Sequence, residues 1–198
     1  ELRDQGLANN TNPIYVALSK SPFLSSTIVG ADGSVSPNLE DVDDFDRSNP
    51  LALVENMIGT NKNYRFMGSF GFDYDFNKAL KFHVLGGITF SKVRENIFMP
   101  ERGVVADTLM QGIAFNRSGS NVERLYGLFT DTRLSYTKNF NFRHNLSTNV
   151  GFRFNDNKME TDYGLGYNSA TDDYVTVGQT DAALRKISGQ NGNWRWLN

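Results

Sequence analysis

The strongest constraint on the fold of this chain is the alternation of side chains along residues 64–76. Aromatic residues occupy six of the seven even positions, whereas the odd positions are charged, small or polar, except for Met67. A period of two residues is that of a β-strand, in which successive side chains point to opposite faces. The run therefore predicts a strand with one apolar face and one wet face.

The same parity continues beyond a short connection at 77–79, so that residues 64–90 predict an antiparallel hairpin. A second hairpin is predicted with arms at 126–136 and 146–154 and a turn near 138–141. Residues 91–122 and 155–192 lose the alternation and are predicted to be long loops, and Trp194 and Trp196 open a further strand.

Short turns that alternate with long loops are typical of an outer-membrane β-barrel, and loops of this length are unusual in a compact soluble domain. A strand of about 13 residues at about 3.3 Å each, tilted near 45°, rises about 30 Å and crosses an apolar band of about 25 Å. The smallest membrane barrel has eight strands, so the chain is expected to form an arc of a larger one. A soluble β-sandwich or calycin-like barrel alternates in the same way, with its aromatic face in a core, and remains the alternative.

Residues 1–63 differ from the rest and are predicted to be an extracellular loop region, followed by barrel strands and loops at 64–198. Asn12-Pro13 and Asn49-Pro50 open two short helical patterns, 14–19 and 51–58, the second closed by Gly59. Each helix is too short to be stable alone and is expected to pack on the rim of the sheet. The chain begins without an initiator Met or signal sequence and stops where a strand opens, which predicts a piece of a longer polypeptide.

Composition excludes several function classes. The net charge of −2 argues against a nucleic-acid binder, and the absence of cysteine excludes disulfides, thiolate metal sites and cysteine nucleophiles. No apolar run is long enough for a transmembrane helix. Only His83 and His144 are available for histidine chemistry, and neither has a motif partner, so we predict no catalytic residues, no enzyme activity and no cofactor.

Two groups of acidic residues are candidates for binding or catalytic sites. The run 40–46 contains carboxylates that suit calcium, but Phe45 breaks the EF-hand pattern, so a solvated acidic loop is favoured and no metal is predicted. Asp73 and Asp75 share the wet face of the first strand. There they are interpreted as lumen or rim residues rather than as a glycosidase pair.

Several segments, in the right order over nearly the whole chain, resemble one family, the SusC/RagA TonB-linked outer-membrane transporters of Bacteroidetes. The most specific is Asn63-Tyr64-Arg65-Phe66-Met67-Gly68-Ser69, within the longer stretches 48–54 and 59–69. The others are 12–22, which begins Asn-Pro-Ile-Tyr, Phe98-Met99-Pro100, and Asn193-Trp194-Arg195-Trp196-Leu197-Asn198.

The resemblance implies a plugged barrel of about 22 strands in the outer membrane. It implies import of an oligosaccharide or peptide, energised by the TonB complex through a plug, with a SusD/RagB-like surface lipoprotein as the lid. Plug and TonB box are not in this sequence. The alternative function is a soluble β-sheet carbohydrate-binding module.

Within this interpretation, side chains in or beside the long loops are the candidates for contact with the substrate or the lid. They are Asp107, Arg117, Arg124, Tyr163 and Tyr167. Trp196 is predicted to belong to the aromatic girdle at the membrane interface, and Trp194 is left open between girdle and ligand contact.

Overall fold

The computed structural model describes residues 11–140 and 144–198, and in that part the chain is mostly β with antiparallel sheets and two α-helices. The helices are α1 (Pro13–Ser19) and α2 (Pro50–Asn56). The strands are β1 (Thr27–Val29), β2 (Val35–Leu39), β3 (Ile58–Asp75), β4 (Leu80–Met99), β5 (Asp107–Leu109), β6 (Gly112–Ala114), β7 (Arg117–Phe140), β8 (His144–Tyr167) and β9 (Lys186–Leu197). Short 3₁₀ helices follow β8 at Val177–Gln179 and Ala182–Leu184.

The main sheet has five strands in the order β3-β4-β7-β8-β9, so its neighbours follow chain order. The two predicted hairpins and the start of a further strand are thereby confirmed. Among the described residues the sheet is open, with β3 and β9 at its edges, and two small hairpins, β1-β2 and β5-β6, stand apart from it. None of the helices in the described residues is long and apolar enough to span a membrane.

The chain separates into two compact units. Unit 1 comprises Glu1–Lys62, Arg94–Val122 and Asp162–Ser188, and unit 2 comprises Asn63–Val93, Glu123–Thr161 and Gly189–Asn198. The predicted division into 1–63 and 64–198 follows the order of the sequence and stays a prediction.

Unit 2 is a two-faced sheet. Leu80 accepts the backbone hydrogen bond of Phe76, and the rings of Phe90 and Tyr126 lie 5.2 Å apart, so the even residues of β3, β4 and β7 share one face. On the opposite face, Arg153 of β8 donates a hydrogen bond to Asp131 of β7, so the odd residues of these two strands share that face. The even residues of β8 therefore lie on the same face as the even residues of β7. Thirteen large apolar side chains on the even face are between 40% and 72% exposed: Tyr64, Phe66, Phe70, Phe72, Tyr74, Phe76, Ile88, Tyr126, Leu128, Leu134, Leu146, Val150 and Phe152.

The strands are longer than the alternation predicts, and the long loops are correspondingly shorter. β4 continues to Met99 and β7 begins at Arg117, so the predicted loop 91–122 is wrong at both ends. There the strands are joined by polar side chains, including a 2.9 Å bond from Asn61 to Glu95 and a 3.0 Å bond from Ser120 to Asn96. Beyond Phe90 the apolar residues Val93, Ile97 and Met99 fall at odd positions among polar ones, so the parity of 64–90 is lost although the strands stay paired.

The second long loop is corrected in the same way. β8 runs to Tyr167 and β9 begins at Lys186, so the irregular connection is 168–185 rather than 155–192. The short connection at 77–79 is confirmed, and β7 extends through Phe140. The remainder of the second predicted turn, from Asn141, lies outside the described residues.

The two helices begin at the predicted Asn-Pro signals. Asn12 Oδ1 accepts the backbone N–H groups of Ile14 and Tyr15, and Asn49 Oδ1 accepts that of Leu51. Such caps satisfy donors that the first helical turn leaves unpaired. α2 ends at Asn56, two residues before the predicted end, because Ile58 already begins β3.

The helices pack on each other and on a loop residue. Val16 of α1, Leu53 of α2 and Val104 form one buried cluster. Gly103, which precedes Val104, has φ +77°, and a Cβ there would overlap that of Ala52. The helices therefore pack against the loop that follows β4, and their expected packing on the rim of the sheet stays a prediction.

Candidate functional site

The candidate site is a group of charged and phenolic side chains around Arg117 in unit 1. Arg117 begins β7 and is 9% exposed. Its Nε and Nη2 donate to the sulfur of Met99 at 2.9 and 2.6 Å, and its buried Nη1 has no hydrogen-bond partner among the described residues. Because a thioether is a weak acceptor, this cation is held with little direct compensation.

Electrostatic effects show which other side chains lie near Arg117. Burial lowers the pKa of Arg117, while Tyr167, Asp107 and Tyr163 act in the opposite direction and raise it. Burial also raises the pKa of Tyr167, and the positive charge of Arg117 partly offsets that rise. A guanidinium stays protonated in proteins, so Arg117 keeps its positive charge despite burial, and Asp107 supplies an opposite charge near it.

A small cavity adjoins this group. Its lining includes Asp107, Arg117, Met99 and Asn116, and its volume is about 10 Å³. That is the space of about one water molecule, which requires polar partners of the kind present here. The cavity is too small for an oligosaccharide or a peptide.

Four of the five predicted contact residues therefore come together in unit 1, and two of them are buried. Tyr167 is 5% exposed and packs with Ala114, Leu165 and Leu184, with Tyr163 against that cluster. Arg124 belongs to unit 2, where its Nη1 lies 3.8 Å from Glu160 Oε2. Their role in contacting substrate or lid stays a prediction.

The side chains that organise unit 1 most strongly are asparagines. Buried Asn49 donates to the backbone carbonyls of Ser26 at 2.8 Å and Glu40 at 2.7 Å, besides capping α2. Buried Asn116 exchanges hydrogen bonds with the backbone of Ser169. The Asn-Pro pair indicated the cap at Asn49, but no local signal marked Asn116, whose partners lie 53 residues away.

The carboxylate of Asp172 also joins two loops by hydrogen bonds to backbone N–H groups. Asp172 Oδ1 accepts the backbone N–H of Glu101 at 2.8 Å, and its Oδ2 accepts that of Arg102 at 3.2 Å. Asn116 also donates to Asp172 at 3.2 Å. The segments after β4 and β8 are thus joined by hydrogen bonds that satisfy loop backbone.

The acidic run 40–46 also bonds to backbone. Asp41 Oδ1 accepts the N–H groups of Val42 and Gly103, and Asp43 Oδ1 accepts those of Phe45 and Arg47. No group of three or more metal-ligating side chains that could hold an ion occurs in residues 11–140 and 144–198. These carboxylates organise turns of the loop.

The odd face of unit 2 carries paired charges. His83 Nδ1 lies 2.5 Å from Asp73, and Lys81 lies 3.5 Å from Asp75, so the two carboxylates have separate partners on the wet face. The predicted placement of His83 among the wet residues is confirmed. Arg153 bonds Asp131 at 2.6 Å further along the same face.

The two tryptophans lie on this polar face. Arg153 and Asn198 exchange backbone hydrogen bonds at 2.8 and 3.0 Å, which makes them direct partners with side chains on one side of the sheet. Trp194 and Trp196 precede Asn198 by even steps and share its side, whereas Arg195 points to the other and bonds Asp156. The predicted place of Trp196 in an aromatic girdle stays a prediction. Its ring lies on the face opposite Phe70, because the parity reverses between β8 and β9.

No family model matches this chain, and no curated protein matches it at a significant level.

Proposed function

We propose that this chain forms part of the wall of an outer-membrane β-barrel that belongs to a SusC/RagA-like, TonB-dependent nutrient importer. The barrel would import an oligosaccharide or a peptide, with a SusD/RagB-like surface lipoprotein as lid and a TonB complex acting through a plug. The chain supplies wall, lumen lining and loop contacts, without catalysis or a cofactor.

The observation that carries the proposal is the exposed even face of unit 2. Phe70, at 72% exposure, stands among a dozen other large apolar side chains on one continuous surface. In water such a surface is unfavourable, and soluble monomers rarely expose one that is larger than a few hundred Å². Against lipid tails the same surface needs no cover, and the paired charges of the odd face would line a wet lumen.

Strand length supports the same conclusion. β3, β4, β7 and β8 contain 18, 20, 24 and 24 residues, whereas about 9–11 residues suffice to cross a bilayer. Their apolar alternation is confined to part of that length, and polar ladders such as Asn61–Glu95 and Ser120–Asn96 occupy the rest. Strands whose ends are joined by hydrogen bonds between polar side chains suit a barrel whose wall extends beyond the membrane.

The connections support it as well. β3 and β4 are joined by the short segment 76–79, whereas 100–116 and 168–185 contain a small hairpin, 3₁₀ helices and buried residues. Short turns at one end of a sheet and long structured loops at the other are the pattern of bacterial outer-membrane barrels. The proposal requires further strands to pair with β3 and β9, since unpaired edges are prone to aggregation.

Site-directed spin labelling tests the proposal. The chain has no cysteine, so Phe70→Cys and its matched neighbour Ser69→Cys each introduce one labelling site in this segment of the full-length protein. We expect the label at 70 to be relaxed by oxygen, which concentrates in lipid, and the label at 69 by a water-soluble nickel complex. Relaxation of both labels by nickel would contradict a membrane wall. A label at 70 shielded from both reagents would instead favour the soluble carbohydrate-binding module, whose aromatic face lies in a core.

A further inference from the structure

The apolar even face of unit 2 ends in a row of cations, on the side away from the short connection between β3 and β4. Lys92 stands two residues beyond Phe90 on β4. Arg124 stands two residues before Tyr126 on β7, and Lys158 of β8 is close to that tyrosine. Cations therefore replace the aromatic side chains at one level on three neighbouring strands.

The pairing of β4 with β7 places two of these cations directly opposite each other. A Cβ built on Gly127 would lie 3.5 Å from the Cβ of Thr89, so these two residues are cross-strand neighbours. Three residues further along the same antiparallel pair, Lys92 lies opposite Arg124. Opposite side chains on one face have Cβ atoms about 4.5–5.5 Å apart, and like charges so placed repel each other.

The carboxylates of this face serve other cations. Glu160 Oε1 lies 2.5 Å from Lys158 Nζ, and Glu160 Oε2 lies 3.8 Å from Arg124 Nη1. Asp156 is bonded at 3.0 Å to an arginine of β9. In the part of the chain that the structure describes, the ammonium of Lys92 has no ion-pair partner. Lys92 thus faces another cation without a carboxylate of its own.

A tyrosine stands on the other side of Lys92. The antiparallel pairing that brings Asp75 next to Lys81 continues along β3 and β4, and sets Tyr64 opposite Lys92. Tyr64 is 55% exposed on the apolar face. A tyrosine has an apolar ring and a hydroxyl that can donate a hydrogen bond, which suits the border between lipid tails and headgroups.

We propose that Lys92 and Arg124, flanked by Tyr64 and Tyr126, bind the phosphate of an anionic membrane lipid. A phosphate accepts charge-assisted hydrogen bonds from both cations and removes the repulsion between them. The site is continuous with the exposed apolar face, so a lipid satisfies both with its phosphate and its acyl chains, whereas a free phosphate satisfies only the cations. This inference rests on the proposed function and deepens it by naming the lipid class that contacts the wall at its loop end. It assigns Arg124 to lipid rather than to substrate or lid.

The test uses the full-length protein in a neutral detergent. Native mass spectrometry measures the binding of dioleoyl phosphatidylglycerol and of dioleoyl phosphatidylcholine, each added at the same concentration. The variants are Lys92→Gln, Arg124→Gln and the two combined. Arg65→Gln is the matched control, because Arg65 is next to Tyr64 in β3 and points to the polar face.

We expect the native protein to bind phosphatidylglycerol more tightly than phosphatidylcholine. Each single variant should lose about fivefold in affinity for phosphatidylglycerol, the double variant should lose more, and the control should bind as the native protein does. Since the opposed cations repel, Lys92→Gln should unfold in neutral detergent at no lower urea concentration than the native protein. That measurement separates lost lipid binding from misfolding.

The outcomes separate this inference from the proposed function. Equal binding of the two lipids by the native protein, a preference kept in the double variant, or an equal loss in Arg65→Gln would overturn the lipid site. Calorimetric binding of inorganic phosphate that requires Lys92 and Arg124, with the two lipids bound alike, would also overturn it in favour of a free anion. In each case a label at position 70 relaxed by oxygen would leave the membrane wall intact. A label at 70 relaxed by nickel would overturn the proposed function and the lipid site with it.

Discussion

Unit 1 and unit 2 differ in how their apolar side chains are arranged. In unit 1, Leu53 and Leu165 are at most 4% exposed, and buried asparagines bond the backbone of loops around them. In unit 2, Phe70 and Phe152 are 72% and 47% exposed on a sheet whose other face carries ion pairs. Unit 1 has small buried clusters beside scattered exposed apolar side chains such as Phe23 and Leu18, whereas unit 2 carries its large apolar side chains along one exposed face of its sheet.

The largest expected effect comes from a charge on the exposed apolar face. Phe70→Arg should destabilise a membrane-inserted sheet by about 2–4 kcal/mol if residue 70 lies near the bilayer midplane, while Ser69→Arg should have little effect. Unfolding in urea in the presence of lipid vesicles, followed on a gel that separates folded from unfolded barrel, measures both. Equal effects of the two substitutions would remove the contrast between the faces.

The next effect is expected in unit 1. Asn49→Ala removes the cap of α2 and the donor to Ser26 and Glu40, and should cost about 2–3 kcal/mol of local stability. Asn12→Ala, which removes only the exposed cap of α1, should cost about 1 kcal/mol. Hydrogen exchange of segments 26–53 and 12–20 reads the two effects separately. A smaller loss at Asn49 than at Asn12 would show that the buried asparagine does not organise these loops.

A smaller difference separates two glycines that both have positive φ. Gly103 has φ +77° and its missing Cβ faces Ala52, whereas Gly33 has φ +79° with open space around it. Gly33→Ala should cost only backbone strain, about 1 kcal/mol, and Gly103→Ala about 1 kcal/mol more because α2 must shift. Hydrogen exchange of α2 and of β1-β2 measures the difference. Equal losses of stability in the two variants would mean that Ala52 moves away from the new Cβ at no measurable cost.

The smallest effect is a loss of stability in alkali. Burial raises the pKa of Tyr167 in the folded chain above its ordinary value of 10.0, so the folded state favours the protonated phenol. Stability is therefore unaffected below pH 10 and falls as the pH rises above it towards the folded pKa. We expect Tyr167→Phe to reduce this alkaline loss, as followed by hydrogen exchange of 162–167. If stability falls equally steeply with pH in the native protein and in Tyr167→Phe, groups other than Tyr167 cause the alkaline loss.

Much of unit 2 could be predicted from sequence because its signal is local. Alternation at 64–76 is a property of neighbouring residues, and it predicted the hairpins and the side of the sheet on which Phe70 and His83 lie. The alternation did not predict the far ends of β4 and β7, where Asn121 donates a hydrogen bond to Glu95 across the strands and the apolar residues no longer keep one parity. The face of Trp196 was not predicted for a related reason, because the register between β8 and β9 is set by pairing and not by spacing along either strand.

The strand periodicity, the apolar and the polar face of the sheet, and the Asn-Pro starts of α1 and α2 follow from the amino-acid sequence, because each depends on residues within a few positions of one another. Which loop residues become buried depends on contacts between distant parts of the chain. Asn116 bonds Ser169, and Arg117 contacts Met99 with Tyr167 close by, only after distant strands have paired. Tertiary pairing likewise placed two tryptophans on the wet face, since a strand's parity relative to its neighbour is fixed by long-range hydrogen bonds.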